Sequence, residues 1–444
     1  MARRKVFFAA VCLLLAAAAA GQGAVARLAT QEAAQPASQS AKVEPKIVKG
    51  YTLSSEKYRQ AVAFNRARDR LYFLGFAYGV VVYLIVLRGR VGPKFRDWAE
   101  RLSSRRVVQA FVYVPLLLLA LRVLNLPRSV YSHWLVYKFG LSVQGWGSWA
   151  WDWVKAQLLT VVFGAFLAWI FYGVIRRSPQ RWWFYFWLAA LPIIVFVVSV
   201  EPVVLEPMFF RFEPLAASQP ELVAQMEKVA ARGGVRIPPE RMFEMKASKK
   251  LAAVNAYVAG LGATKRVVVW DTTLAKLNVT QTLAVFGHEM GHYVLGHIPK
   301  GMVFFAAELF VFLFLGFQVL HAVLRRWGQR WGIRGADDWA ALPAILLLFS
   351  VFNFFAAPLE NTYSRRIEHQ ADVYGLEVIH GIVPASGEVT AQSFQIEGEI
   401  NLDDPHPGPF IRFWLYTHPP LEERLIFAQT YDPWSKGQAP QFIK

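Results

Sequence analysis

Apolar residues in this chain run in long unbroken blocks rather than in the alternating or one-sided patterns of a soluble fold. Six blocks follow the N-terminal region: Leu71–Leu87, Val107–Leu126, Ala156–Ile175, Trp182–Val200, Met302–Leu320 and Ala340–Leu359. Each approaches or reaches the about 20 residues that a helix needs to cross a bilayer. Leu71–Leu87 carries no charge, and Trp, Tyr and Arg gather at the ends of several others, as interfacial anchors do. A single such block could be a buried helix of a soluble core; six together predict a polytopic membrane protein. Ahead of them, Arg3, Arg4 and Lys5 precede an apolar run from Val6 to Ala20 and the triplet Ala24-Val25-Ala26. Residues 1–26 therefore read as a cleavable secretory signal or a first anchor.

The blocks divide the chain. A lead-in over 27–66 precedes four spans within 67–200; polar segments over 201–301 and 360–444 flank a helical pair over 302–359. Trp146–Lys155, with four Trp, reads as an interfacial helix. Pro220–Arg232 is patterned as an amphipathic helix ended by Gly233-Gly234. Two short strands are expected at Asn255–Val258 and Val267–Trp270, then a helix from about Thr280 that stops before Pro299. From Gly381 to Pro409 there is no periodicity, and a surface loop is expected.

Composition agrees with lipid: 55% of residues are hydrophobic and only 18% charged. The net charge of +17 raises nucleic acid as a partner, but its distribution excludes that reading. Arg88, Arg90, Lys94, Arg96, Arg101, Arg105 and Arg106 follow the first block, Arg176, Arg177 and Arg181 the third, and Arg325, Arg326, Arg330 and Arg334 the fifth. These are alternate loops, the pattern of a cytoplasmic side. Residues 201–301 and those after about 360 are then expected on the far side, which is periplasmic for a bacterial inner-membrane protein. The one cysteine, Cys12, lies in the leader, so a processed chain has no thiol for a disulfide, a nucleophile or a metal.

The chemistry-bearing motif is His288-Glu289-Met290-Gly291-His292. On a helix its two His, four apart, share a face and can reach one metal ion, while Glu289 can take a proton from a metal-bound water. A third protein ligand is needed. Leu295 and Ile298 stand where another His-rich pattern would place Gly and His, and on a continuous helix His297 points about 180° away from His288. Glu368 and Asp372, also four apart, follow the last block on the same expected membrane side. One could bind metal while the other accepts a ligand's ring N–H. Alternatively, Glu368 is an exposed carboxylate paired with Arg365.

The run His288–His297, together with Ser364–Asp372, resembles the type I CAAX prenyl proteases, integral-membrane zinc metalloproteases. Asn255-Ala256-Tyr257 and Thr417-His418-Pro419-Pro420-Leu421-Glu422-Glu423-Arg424-Leu425 extend the similarity over about residues 50–435. The resemblance implies a mostly α fold, in which a multi-span helical chamber carries a small α+β, gluzincin-type zinc peptidase domain. It further implies one zinc per chain on His288, His292 and Glu368, with Glu289 as general base and Asp372 orienting a ligand His. His418 would stabilise the oxyanion with help from Arg424, and Asn255, Ala256 and Tyr257 would hold the substrate strand. The implied partners are the lipid bilayer and a polypeptide, membrane-associated or lipidated. A quality-control protease with no prenyl role, a chaperone, or a transporter whose pathway uses Arg122 and Asn353 are the competing readings.

Overall fold

The computed structural model describes residues 50–443, so the expected signal or anchor, Cys12 and most of the lead-in lie outside the described residues. In chain order the elements are α1 (Ser55–Arg88), α2 (Val91–Leu102), α3 (Arg106–Lys138), α4 (Trp146–Arg177), α5 (Trp182–Val200), β1 (Phe212–Pro214), α6 (Leu215–Ser218), α7 (Pro220–Arg232), β2 (Met242–Met245), β3 (Ala256–Ala259), β4 (Arg266–Trp270), α8 (Asp271–Lys276), α9 (Val279–Val294), α10 (His297–Trp331), α11 (Leu342–Ile379), α12 (Ser386–Asn401), α13 (Pro409–Leu415) and α14 (Leu421–Thr430).

Six of these helices are long and apolar enough to cross a membrane: α1, α3, α4, α5, α10 and α11. They close a ring. α1 touches α3, then each meets the next through α4, α5, α10 and α11, and α11 returns to α1. Apolar length makes them helices, because in hydrocarbon every backbone amide must be satisfied within its own segment. The three basic loops assemble at one end, where Arg96 Nη1 reaches Asp338 Oδ2 at 2.6 Å, Arg334 Nη1 reaches Glu100 at 2.9 Å and Arg176 donates to the Asp337 carbonyl at 3.3 Å. Asn353 donates to the Phe349 carbonyl one turn back, at 2.8 Å, which satisfies its amide within its own helix.

The second unit is built from the two polar segments that flank α10 and α11. Its four-stranded sheet has the order β1-β2-β4-β3, with β2 parallel to β4 and both outer strands antiparallel to their neighbours. This leaves β3 on an edge. Met226 and Val229 of α7, Val267 and Val269 of β4, Phe286 and Met290 of α9 and Tyr374 and Val378 of α11 share one buried core. The metal-motif helix is thus wedged between the sheet and the end of the last span.

Four expectations change. Residues 55–66 of the lead-in are already helical, started by Ser54, whose hydroxyl accepts from Lys57 N at 3.3 Å. Trp146–Lys155 is the first part of the third span, not a separate interfacial helix. Strands β1 and β2 were not expected, being too short to show an alternating pattern. The stretch predicted as a surface loop contains α12, whose buried face is made partly of Thr390, Ala391 and Ser393; small polar side chains leave no apolar period to read.

Candidate metal centre

Helix α9 begins at a reciprocal cap. The Asn278 side chain accepts from Gln281 N at 2.9 Å, and the Gln281 side chain accepts from Asn278 N at 3.1 Å. From there the helix carries His288 and His292 onto the face that meets α11. Four small residues set the separation: Gly287 and Gly291 on α9, Ala371 and Gly375 on α11. A Cβ on Gly291 would lie 2.9 Å from Ala371 Cα, and one on Gly375 would lie 2.8 Å from His288 N. The backbones touch, so the short side chains of α11 reach the imidazoles directly.

What they build is a triangle. His288 Nε2 and His292 Nε2 are 3.1 Å apart, and Glu368 Oε2 lies 3.2 Å from the first and 3.3 Å from the second. Glu368 is 2% exposed, and the two His are 8% and 9% exposed. Arg365 does not pair with it: its guanidinium donates to the Arg412 and Tyr416 carbonyls, at 3.0 and 2.6 Å. The exposed-carboxylate alternative therefore does not describe Glu368.

The far side of each ring determines what faces the triangle. Asp372 Oδ1 is 2.8 Å from His288 Nδ1, which places the proton there and leaves Nε2 with its lone pair. His292 Nδ1 is 2.9 Å from His297 Nδ1, and His297 Nε2 is 3.2 Å from Gln370 Oε1. A neutral His297 that donates to Gln370 accepts from His292, so His292 Nε2 is also bare. Two lone pairs and a carboxylate oxygen face one another with no proton of their own between them. That arrangement repels itself unless a cation sits at its centre. Burial opposes charge on His288, but Asp372 and Glu368 outweigh it and push the imidazole up to about 10, so with no metal bound a second proton, on Nε2, supplies that positive charge at neutral pH and an ion must displace it. Ligand atoms at about 2.0–2.1 Å from a tetrahedral zinc are about 3.3 Å apart, so the donor set and its spacing fit such an ion.

Glu289 stands beside the two His. One of its carboxylate oxygens lies within 4.8 Å of ligating atoms of both His, and it is more exposed than His288. His418 approaches from the loop before α14, with Nε2 3.1 Å from Glu368 Oε2. Burial pushes it down to about 4, further than Glu368 holds it up, so it is a neutral imidazole at neutral pH. Arg424 is placed differently from expectation. Its Nε and Nη2 donate to both oxygens of Asp372, at 2.9 and 2.7 Å, in a buried bidentate pair, and its plane lies 4.0 Å over Phe394. This fork ties Arg424 to the carboxylate that holds His288.

Asn255 precedes the edge strand and is tied to Thr273, whose hydroxyl accepts from Asn255 N at 2.7 Å. Trp270 N donates to the Asn255 carbonyl at 3.1 Å, so alternation turns the amides of Ala256 and Val258 towards the open edge. The Tyr257 ring is buried, its hydroxyl 3.4 Å from Glu206.

His297 is expected from the sequence at most as a helix-end or supporting residue, and its relay from His292 to Gln370 is not readable there. The two-helix geometry explains why: α9 ends at Val294, Gly296 takes φ +66°, and α10 restarts at His297. This break swings His297 back onto His292. The readable signal was Gly296 with Pro299 close behind, a stop followed by a residue suited only to a first helical turn.

Comparison with known proteins bears on the same residues. The family described as "Peptidase family M48" matches residues 216–431, and "CAAX prenyl protease N-terminal, five membrane helices" matches residues 35–211. The chain is 31% identical over 395 residues to the uncharacterized metalloprotease YhfN of Bacillus subtilis (strain 168), covering 87% of this chain and 90% of that one. It is 25% identical over 402 residues to CAAX prenyl protease 1 of Saccharomyces cerevisiae, covering 84% and 86%. The crystal structure of S. mikatae Ste24p superposes with a TM-score of 0.69 at 23% identity, over 84% of this chain and 88% of that one, and shares its fold.

Proposed function

This chain belongs to peptidase family M48 and is a membrane-embedded metalloendopeptidase, and we propose that its metal is zinc, one ion per chain, held by His288 Nε2, His292 Nε2 and Glu368 Oε2. The observation that carries this reading is the buried triangle of two imidazole nitrogens and a carboxylate oxygen, 3.1–3.3 Å on a side. Zinc bound there would supply Lewis acidity, polarising a scissile carbonyl and acidifying a water.

The chain's own residues do the rest. Glu289 accepts the proton of the attacking water on a carboxylate oxygen and returns it to the leaving amine nitrogen. His418 offers its ring N–H to the carbonyl oxygen as negative charge builds there, a role worth about 3 kcal/mol for one donor. Asp372 keeps the proton of His288 on Nδ1, and Arg424 fixes Asp372. A substrate lying extended along β3 pairs with the outward amides of Ala256 and Val258, which reads backbone rather than sequence. The substrate class is accordingly a polypeptide segment at or near the bilayer, lipidated or not, rather than one sequence motif. Treating the purified protein with a chelator is expected to abolish hydrolysis of an unstructured peptide, and zinc to restore it. Hydrolysis that persists in a demonstrably metal-free preparation would refute the assignment.

We further propose that the site is periplasmic in a bacterial inner membrane, because the clustered basic loops lie at the opposite end of the ring. A reporter that works only in the cytoplasm should be silent when fused after Lys444 and active when inserted between α2 and α3. The reverse pattern would overturn the orientation.

A further inference from the structure

We propose that Glu377 is a positioning residue of the metal centre, acting through a strap formed by residues 441–443; the proposal rests on the metallopeptidase reading above. Glu377 lies on α11, five residues beyond Asp372, and is wholly screened from solvent. No step of the mechanism uses it. Among the described residues no cation pairs with it, yet four donors converge on it. Gln441 N reaches Oε1 at 2.5 Å, Phe442 N and Ile443 N reach Oε2 at 2.7 and 2.9 Å, and the Tyr431 hydroxyl also donates to Oε1. A carboxylate can be buried without a cation only when donors replace its water, and three successive backbone N–H groups do that here. The strap is seated as well as bonded. The Phe442 ring lies 6.3 Å from that of Tyr374, and Phe442 and Ile443 pack on the core that holds α9.

The consequence for the site follows from what Tyr431 is attached to. It directly follows α14, the helix that carries Arg424. Helix α11 is therefore tied to α14 at two points, Asp372 to Arg424 and Glu377 to Tyr431, about two turns apart along α14. One tie would let α11 roll or slide against its neighbour; two fix both the roll and the axial position. The same roll sets Asp372 against His288 and Glu368 against both imidazoles. Glu377 thus governs where the three donors meet, although it touches none of them.

The test compares Glu377→Gln, Glu377→Asp and deletion of residues 441–444 with wild type in the full-length protein. Gln keeps the size but sets an NH2 against backbone N–H groups. The deletion removes none of the fully buried core residues, only Phe442 and Ile443 from the core's outer side, and carries the test if the Gln variant does not fold. Three quantities are read: kcat separately from KM, the rate of zinc release to a chelator, and hydrogen exchange of the α11 amides in metal-free protein. We expect kcat to fall and zinc release to rise, each by about 10–100-fold, with KM unchanged. Exchange should quicken at the C-terminal end of α11, and Glu377→Asp should restore part of each loss. Unchanged kcat and zinc release, with only the melting temperature lowered, would overturn the proposal and leave the strap a stabilising contact. That outcome is distinct from failure of the metallopeptidase reading, which would show as full activity in Glu289→Gln.

Discussion

Glu289→Gln is expected to lower peptide hydrolysis by about 10²–10⁴-fold while leaving the metal bound. The substitution keeps the shape of the side chain and removes its ability to take a proton. The three proposed ligands are His288, His292 and Glu368, so the ion should keep its ligands and the fold its stability. The loss should fall on kcat with little change in KM, because substrate held along β3 does not depend on the base. Steady-state kinetics on a peptide, beside metal content per chain, separates this outcome from its rival. Loss of metal together with activity would mean that Glu289 is itself a ligand.

Gly375→Ala should be nearly as damaging, though it adds only one methyl group. Its Cβ would stand 2.8 Å from His288 N and 3.0 Å from His288 Cα. Both are backbone atoms, so no flexible side chain can move aside, and α9 must separate from α11. Displacement of reacting groups by about 1 Å costs roughly 100-fold in rate, and disturbed support of a ligand costs about 10–100-fold in metal affinity. Gly301→Ala is the matched control, since nothing lies within 4 Å of that Cβ. Metal titration and kcat/KM should fall for Gly375→Ala and hold for Gly301→Ala. Equal behaviour of the two would show that the glycine seam does not set the ligand geometry.

The parts of the molecule that one residue type or one short spacing determines could be read from the chain. Unbroken apolar runs marked the six spans because a bilayer imposes one length and one chemistry on each. The two His of α9 and the two acids of α11 could be read as pairs, since residues four apart share a helix face. What each acid does was not legible from spacing and is given only by the family resemblance. The split, with Glu368 facing both rings and Asp372 behind His288, depends on how closely α11 approaches α9. That approach is written in Gly287, Gly291, Ala371 and Gly375, also four apart, but small residues announce contact without naming the partner. The fork between Arg424 and Asp372 was not legible for a related reason: spacing gives no sign that a side chain far along the chain binds that carboxylate. His297, expected not to reach the metal itself, stands behind His292, and the break at Gly296 that brings it there is not implied by one continuous helix. Gln370 and Glu377 gave no sequence signal, because their partners are set by tertiary placement.

X-ray absorption at the zinc edge, on purified wild type and Glu368→Ala, puts the centre itself to the test. One zinc per wild-type chain is expected, with two imidazole nitrogens and a carboxylate oxygen at bonding distance, and its loss or a changed ligand set in the variant. Zinc absent from active wild-type protein, or an identical spectrum after Glu368 is removed, would contradict it.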